Sequence, residues 1–185
     1  NSVKRILFAS SIYAHSKKGN LYTSSKLASE NIIDNYNLLY GINFTVLRYS
    51  TAYGERSRGV DVISIFAKNA LKHSDIIING NGKQTRNFIH VKDIAKGSVL
   101  ALSNRYKNKT LNIGSNKKTK IIDLAKKIIK LSKSKSKLVI KKNKKRIDDF
   151  DLNKIPNKSL KNLLRFKMHY NLDKGIKRYL ESLKN

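Results

Sequence analysis

The chain has 185 residues, with 40 Lys or Arg against 12 Asp or Glu, for a formal net charge of +28. That length suits one domain or the larger part of a two-lobed enzyme and excludes two full-sized domains. Cysteine is absent, which excludes disulfides, thiolate catalysis and cysteine-ligated zinc, and His15, His73, His90 and His169 are too scattered for metal-ligand spacing.

The chain opens on Asn1 and runs at once into Val3-Lys4-Arg5-Ile6-Leu7-Phe8-Ala9-Ser10-Ser11, whose length, apolar character and small closing residues predict a buried strand. It is therefore expected to begin inside a fold, as a piece of a longer protein. Leu21 to Tyr40 predicts a helix, with Leu27, Ile32, Ile33, Tyr36 and Leu39 or Tyr40 at helical spacing until Gly41 stops it. Asn43 to Tyr49 predicts a second buried strand, and Ser50 to Gly59 a polar loop. Strand, helix and strand in that order make a βαβ unit with parallel pairing and a right-handed crossover.

Beyond it a helix is expected near Val60 to Lys72, a short strand at Ile76-Ile77-Ile78, a turn at Gly80-Asn81-Gly82 and a helix from Asp93 to Asn104. Leu111-Asn112-Ile113 is a short strand closed by Gly114. Lys120 to Ser132 sets Ile121, Leu124, Ile128 and Leu131 on one helix face. Leu138-Val139-Ile140 is a further strand, and helices at Lys158 to Leu164 and Leu172 to Leu183 finish the chain. No window approaches the about 18 apolar residues of a membrane span, so no membrane contact and a cytoplasmic location are expected.

The pattern richest in chemistry is Ser10-Ser11 at a strand end followed by Tyr22-Thr23-Ser24-Ser25-Lys26 at a helix start. A Tyr and a Lys four apart leave one helix face a turn from each other. A nearby ammonium stabilises a phenolate, which lets a phenol exchange protons near neutrality, while a strand-end hydroxyl can hold the same substrate oxygen. Both features lie where open α/β sheets form their ligand crevice, at the C-terminal ends of strands. Position is what lifts the motif above a half-buried aromatic beside a solvated amine.

Ser10-Ser11, and Tyr22 to Lys26 followed by Leu27-Ala28-Ser29-Glu30, resemble the catalytic strand and helix of the extended short-chain dehydrogenases/reductases, in their NAD-dependent epimerase/dehydratase branch, which includes UDP-glucose 4-epimerases. Leu47 to Gly54, the long Gly80 to Ala95 segment, Leu111 to Gly114, Lys158 to Phe166 and Leu172 to Ile176 are similar to later family segments, in order. The resemblance implies an α/β fold: the C-terminal part of a Rossmann-like parallel sheet plus a smaller α/β substrate-binding lobe, with the N-terminal dinucleotide-binding half absent. Residues 1–59 would be the catalytic remainder and 60–185 mainly the lobe, with part of 88–115 returning to the sheet.

By that resemblance Tyr22 is the acid/base on a sugar oxygen. Lys26 lowers its pKa and bonds the nicotinamide ribose, Ser11 orients the reacting oxygen, and Tyr49 joins Tyr22 and Lys26 around the cofactor. Thr51, Arg86 and Arg146 face the nucleotide sugar, the arginines through its phosphates. The implied chemistry is transient hydride transfer to NAD or NADP, supplied by the cofactor, in polysaccharide biosynthesis. A homodimer through the helix 21–40 is also implied.

Three features depart from the family. No glycine-rich turn precedes Asn1, only ten residues separate Ser11 from Tyr22, and Thr51 stands where many UDP-sugar 4-epimerases have Asn. Ile12 and Tyr13 after Ser11, in place of the dehydratases' Asp-Glu pair, favour epimerisation or reduction over dehydration, and the cysteine of epimerase/reductases is missing. The rival reading is a basic nucleic-acid or polyanion-binding module, or a non-functional piece of a split gene. Against the module, 31 of the 40 basic residues are Lys, which lacks the fork that base readout favours, and Lys133 to Arg146 holds no aromatic for stacking.

Overall fold

A computed structural model of the chain describes residues 3–16, 20–115, 117–142 and 167–184. Its centre is a three-stranded parallel sheet in the order β1 (Arg5–Ser11), β2 (Asn43–Tyr49) and β7 (Lys109–Ile113), reached through α1 (Leu21–Tyr40). The register aligns Ser10 with Arg48 and Arg48 with Asn112, and in the next row Ser11 with Tyr49 and Tyr49 with Ile113. All three strands thus end level.

Side chains alternate across a pleat, so each row faces one side. Ile6, Phe8, Phe44 and Val46 pack with Ile33 of α1. Leu7, Leu47, Tyr49, Leu111 and Ile113 pack on the other side, with Ile94 of α3 (Val91–Leu100). Asn20 caps α1 by accepting from the Thr23 amide, and Gly41 ends it in the left-handed region at φ 66°, where a Cβ is strained.

The second core lies around β4 (Ile76–Asn79), which pairs in parallel with β9 (Leu138–Lys141). Against it pack α2 (Val62–Leu71), α4 (Ile121–Ser132) and α5 (Leu172–Ser182). α2 buries Ile63, Phe66, Ala67 and Ala70, and α4 buries Ile121, Leu124, Ala125 and Ile128, the same i, i+3, i+4, i+7 stripe in each. Tyr179 brings a hydroxyl into this core and donates it to Ser64 Oγ at 2.8 Å, so that this buried hydroxyl is not stranded.

Several elements differ from the sequence-based expectation. The loop expected from Ser50 to Gly59 contains β3 (Thr51–Tyr53), which pairs with β6 (Phe88–His90), and β5 (Thr85–Arg86) pairs antiparallel with β8 (Thr119–Lys120). These pieces of two or three residues are strands because a distant segment satisfies their amides, as when Thr51 N donates to Asn87 O at 2.9 Å. The helix expected from Asp93 starts two residues earlier, where His90 accepts from the Lys92 amide, and ends at Leu100. The helix expected at Lys158 to Leu164 lies outside the described residues.

One buried carboxylate joins the parts. Asp93, 1% exposed in the first turn of α3, accepts the His169 amide at 2.8 Å on one oxygen and the Tyr170 amide at 2.9 Å on the other. It holds the segment that enters α5, and beside it the buried His90 ring stacks on Tyr170 at 4.1 Å between centroids. Removing both acceptors strands two amides, so Asp93→Ala is expected to lower unfolding stability by about 2–4 kcal/mol, and Asp93→Asn, which keeps one acceptor, by less. Urea melts check this, and an alanine variant as stable as the parent rejects the role.

Candidate active site

The level ends of β1 and β2, the start of β3 and the first turns of α1 enclose a cleft of about 400 Å³ lined by Ser10, Ser11, Tyr13, Tyr22, Lys26, Tyr49 and Thr51 among others. Five of the seven expected site residues meet here: Ser11, Tyr22, Lys26, Tyr49 and Thr51. Tyr22 is 49% exposed rather than packed into the core. Lys26 Nζ lies 5.7 Å from the centre of the Tyr22 ring, 5.1 Å from that of Phe8, and donates to the Ala9 carbonyl at 2.8 Å. That bond ties the ammonium to the strand edge and leaves two of its three protons for other acceptors.

The two serines have separate tasks. Ser10, 3% exposed, faces α1 and donates its hydroxyl to Glu30 Oε1. Ser11 lies on the opposite pleat, and its Oγ accepts from the Tyr13 amide at 3.3 Å, capping the short 3-10 turn Ile12–His15. Its own proton stays available to a ligand. Tyr49 lines the cleft while its hydroxyl bonds Ser98 Oγ on α3 at 2.8 Å. Thr51 Oγ1 is 3.4 Å from Tyr13 Oη.

Arg86 is not in this cleft. It lines a neighbouring cavity of about 520 Å³ with Phe66, Asn69, Asn79, Gln84 and Lys141. Its guanidinium sits 6.0 Å from the centre of the Tyr13 ring, so Tyr13 borders the cleft on one side and Arg86 on the other. Arg146 lies outside the described residues.

Behind the cleft runs a polar network that the motif did not reveal. Arg48 donates Nε to Glu30 Oε1 at 3.0 Å and Nη2 to Oε2 at 2.5 Å, a two-pronged pair whose side chains are 18% and 8% exposed. Its Nη1 reaches His15 Nδ1 at 3.3 Å, and His15 Nε2 reaches Asn112 Oδ1 at 2.9 Å. With Nδ1 accepting from a guanidinium, the imidazole is neutral and carries its proton on Nε2. A signal existed: an arginine inside the apolar run Phe44 to Tyr49 needs a buried partner, and Glu30 stands one turn after Lys26.

Residues 1–114 match the NAD dependent epimerase/dehydratase family. A Methanocaldococcus jannaschii protein named for UDP-glucose 4-epimerase is 46% identical over 106 residues, covering 56% of this chain and 34% of its own. The UDP-N-acetyl-alpha-D-glucosaminuronate decarboxylase of Bacillus cytotoxicus is 29% identical over 168 residues, covering 86% and 52%. The crystal structure of Thermotoga maritima UDP-glucose 4-epimerase with UDP-glucose superposes with a TM-score of 0.83 at 22% identity, over 99% of this chain and 64% of that one, a likeness of fold. The chain thus spans between a third and about half the length of these two curated relatives. The family match begins at residue 1 and lends no support to the expected absence of a dinucleotide-binding half.

Burial is the main reason that His15 and His90 both bind protons less tightly than a free histidine; Arg48 adds to it at His15, where Asn112 and Glu30 oppose it. An unfolded chain titrates these rings near pH 6.5, above the folded values, so just below that pH it binds more protons than the folded one. The stability they contribute is whole above about pH 6.5 and is lost as the pH falls through the folded values. Urea midpoints are expected to drop between about pH 7.5 and pH 5.5, and to drop less in His15→Gln. A midpoint that holds steady or rises toward acid refutes this.

Proposed function

The chain belongs to the NAD dependent epimerase/dehydratase family, and from that premise we propose that it carries the proton-handling site of a nucleotide-sugar epimerase. The observation behind this is the convergence of Ser11, Tyr22, Lys26 and Thr51 on one cleft at the C-terminal ends of parallel strands. The donor set suits the cofactor: an ammonium with protons to spare, beside two hydroxyls, matches a ribose diol and a sugar oxygen. NAD, when bound, supplies the two-electron exchange at the sugar carbon.

Tyr22 takes the proton of the reacting sugar hydroxyl as its carbon becomes a carbonyl, and returns it when the hydroxyl is remade, so no proton is consumed overall. Lys26, fixed on Ala9, provides the positive charge beside the phenol and the bond to the ribose. Ser11 donates to the same sugar oxygen and keeps it in line with Tyr22. Thr51 borders the sugar, and Arg86, across Tyr13, meets the phosphates from the neighbouring cavity, with Arg146 proposed as a second phosphate partner. Ile12 and Tyr13, where dehydratases carry an acid pair, favour epimerisation over dehydration.

A second copy of the chain is the proposed cover for the outer face of α1, where Leu21, Ile32, Tyr36, Leu38, Leu39 and Tyr40 are exposed. Sedimentation is expected to give a dimer that Leu39→Glu dissolves; a monomer at the highest soluble concentration rejects that interface. For the chemistry, Tyr22→Phe is expected to cut turnover of UDP-, GDP- or dTDP-hexoses with NAD by about 10²- to 10⁴-fold. Undiminished turnover would remove Tyr22 from the mechanism.

A further inference from the structure

Tyr22, Lys26 and Glu30 stand four residues apart on α1 and so form one stripe along the helix. The first two line the cleft, while the third is 6% exposed and locked into the network behind it. Outside this stripe the rotation of α1 is fixed chiefly by Ile33, packed on Ile6, Phe8, Phe44 and Val46. Along its 20 residues only Thr23, Glu30 and Ile33 are buried. A rotation of about 10° would swing a side-chain atom about 5 Å from the helix axis by roughly 1 Å, a misplacement that can cost on the order of 10²-fold in rate.

The network also grips the other walls of the site. Glu30 accepts from Ser10, the residue before Ser11 in β1, and from Arg48, the residue before Tyr49 in β2. Through His15, Arg48 further holds the turn that carries Tyr13 and ends on Asn112 of β7. Every element bordering the cleft on this side is tied to one buried carboxylate.

We propose that Glu30 and Arg48 are positioning residues: they touch no substrate, and hold the end of β1 and the first turns of α1 in the arrangement that proton transfer needs. This rests on reading the cleft as the acid/base site. Asp93→Asn, which loosens the hold of α3 on the segment entering α5 and leaves the Glu30–Arg48 network untouched, serves as the control for general destabilisation.

On whichever of UDP-, GDP- or dTDP-hexose is turned over, Glu30→Gln and the milder Ser10→Ala are expected to lower kcat by about 10- to 100-fold with KM within about twofold. Arg48→Lys, which keeps the charge, is expected to lie between Arg48→Met and the parent. Amide exchange at residues 9–12 and 21–26 is expected to quicken about tenfold in Glu30→Gln and Ser10→Ala while α4 is unchanged, a readout that holds even where turnover is too slow to measure. Parental kcat and parental local exchange in folded Ser10→Ala and Glu30→Gln, or exchange that quickens uniformly as in the control, overturns the proposal. If these variants keep parental kcat while Tyr22→Phe loses it, positioning fails and the acid/base reading stands. If Tyr22→Phe keeps it, the acid/base reading itself fails.

Discussion

A carboxylate and a guanidinium withdrawn from water together are costly to bring into a fold and costlier to separate. Glu30 and Arg48 meet this condition through two parallel bonds, to which Ser10 adds a third on the carboxylate and His15 a further one on the guanidinium. Breaking such a pair by removing one partner typically costs about 3–5 kcal/mol, because the other charge is left buried alone. Around this pair a helix that buries little apolar surface keeps a definite orientation against the sheet. The stability of the pair and the geometry of the cleft are therefore one problem.

Much of this could be read from the residues, because the relevant physics is local. α1 has a polar cap, helical spacing and a terminal glycine, and its observed bounds are the expected ones. β1 and β2 are runs whose apolar residues require burial on both faces. The stripes of α2 and α4 announce their helices in the same way. β3, β5, β6 and β8 could not be read, since two or three residues carry no periodicity and their partners lie far along the chain. The cleft divides similarly. Spacing along one helix pairs Tyr22 with Lys26, but only the folded register sets Arg48 beside Ser10, and only the 3-10 turn brings Tyr13 under Arg86.

The cleft and its neighbouring cavity meet across Tyr13 and Arg86, and the proposed nucleotide sugar has two unlike parts to place in them. On the proposed reading the smaller, where Ser11, Tyr22, Lys26 and Thr51 meet, takes the sugar. The larger combines apolar side chains with amides, Arg86 and Lys141, and on the same reading takes the base and phosphates. Only a few of the 40 basic residues are needed for that ligand. The excess of lysine is a property of the surface as a whole and discriminates poorly among anions, whereas the cavities are specific in shape. Among the described residues no helix is long and apolar enough to cross a membrane.

The alternation of β1 sends adjacent serines to opposite sides, one to the buried scaffold and its neighbour to the proposed site. Insertions and deletions should consequently be judged by parity. An odd change within Arg5 to Ser11 would exchange the two sides and present the wrong alcohol to each partner, although composition hardly alters. The connection between Ser11 and Tyr22 is under no such parity rule; what it must keep is the turn that sets Tyr13 and His15 in place.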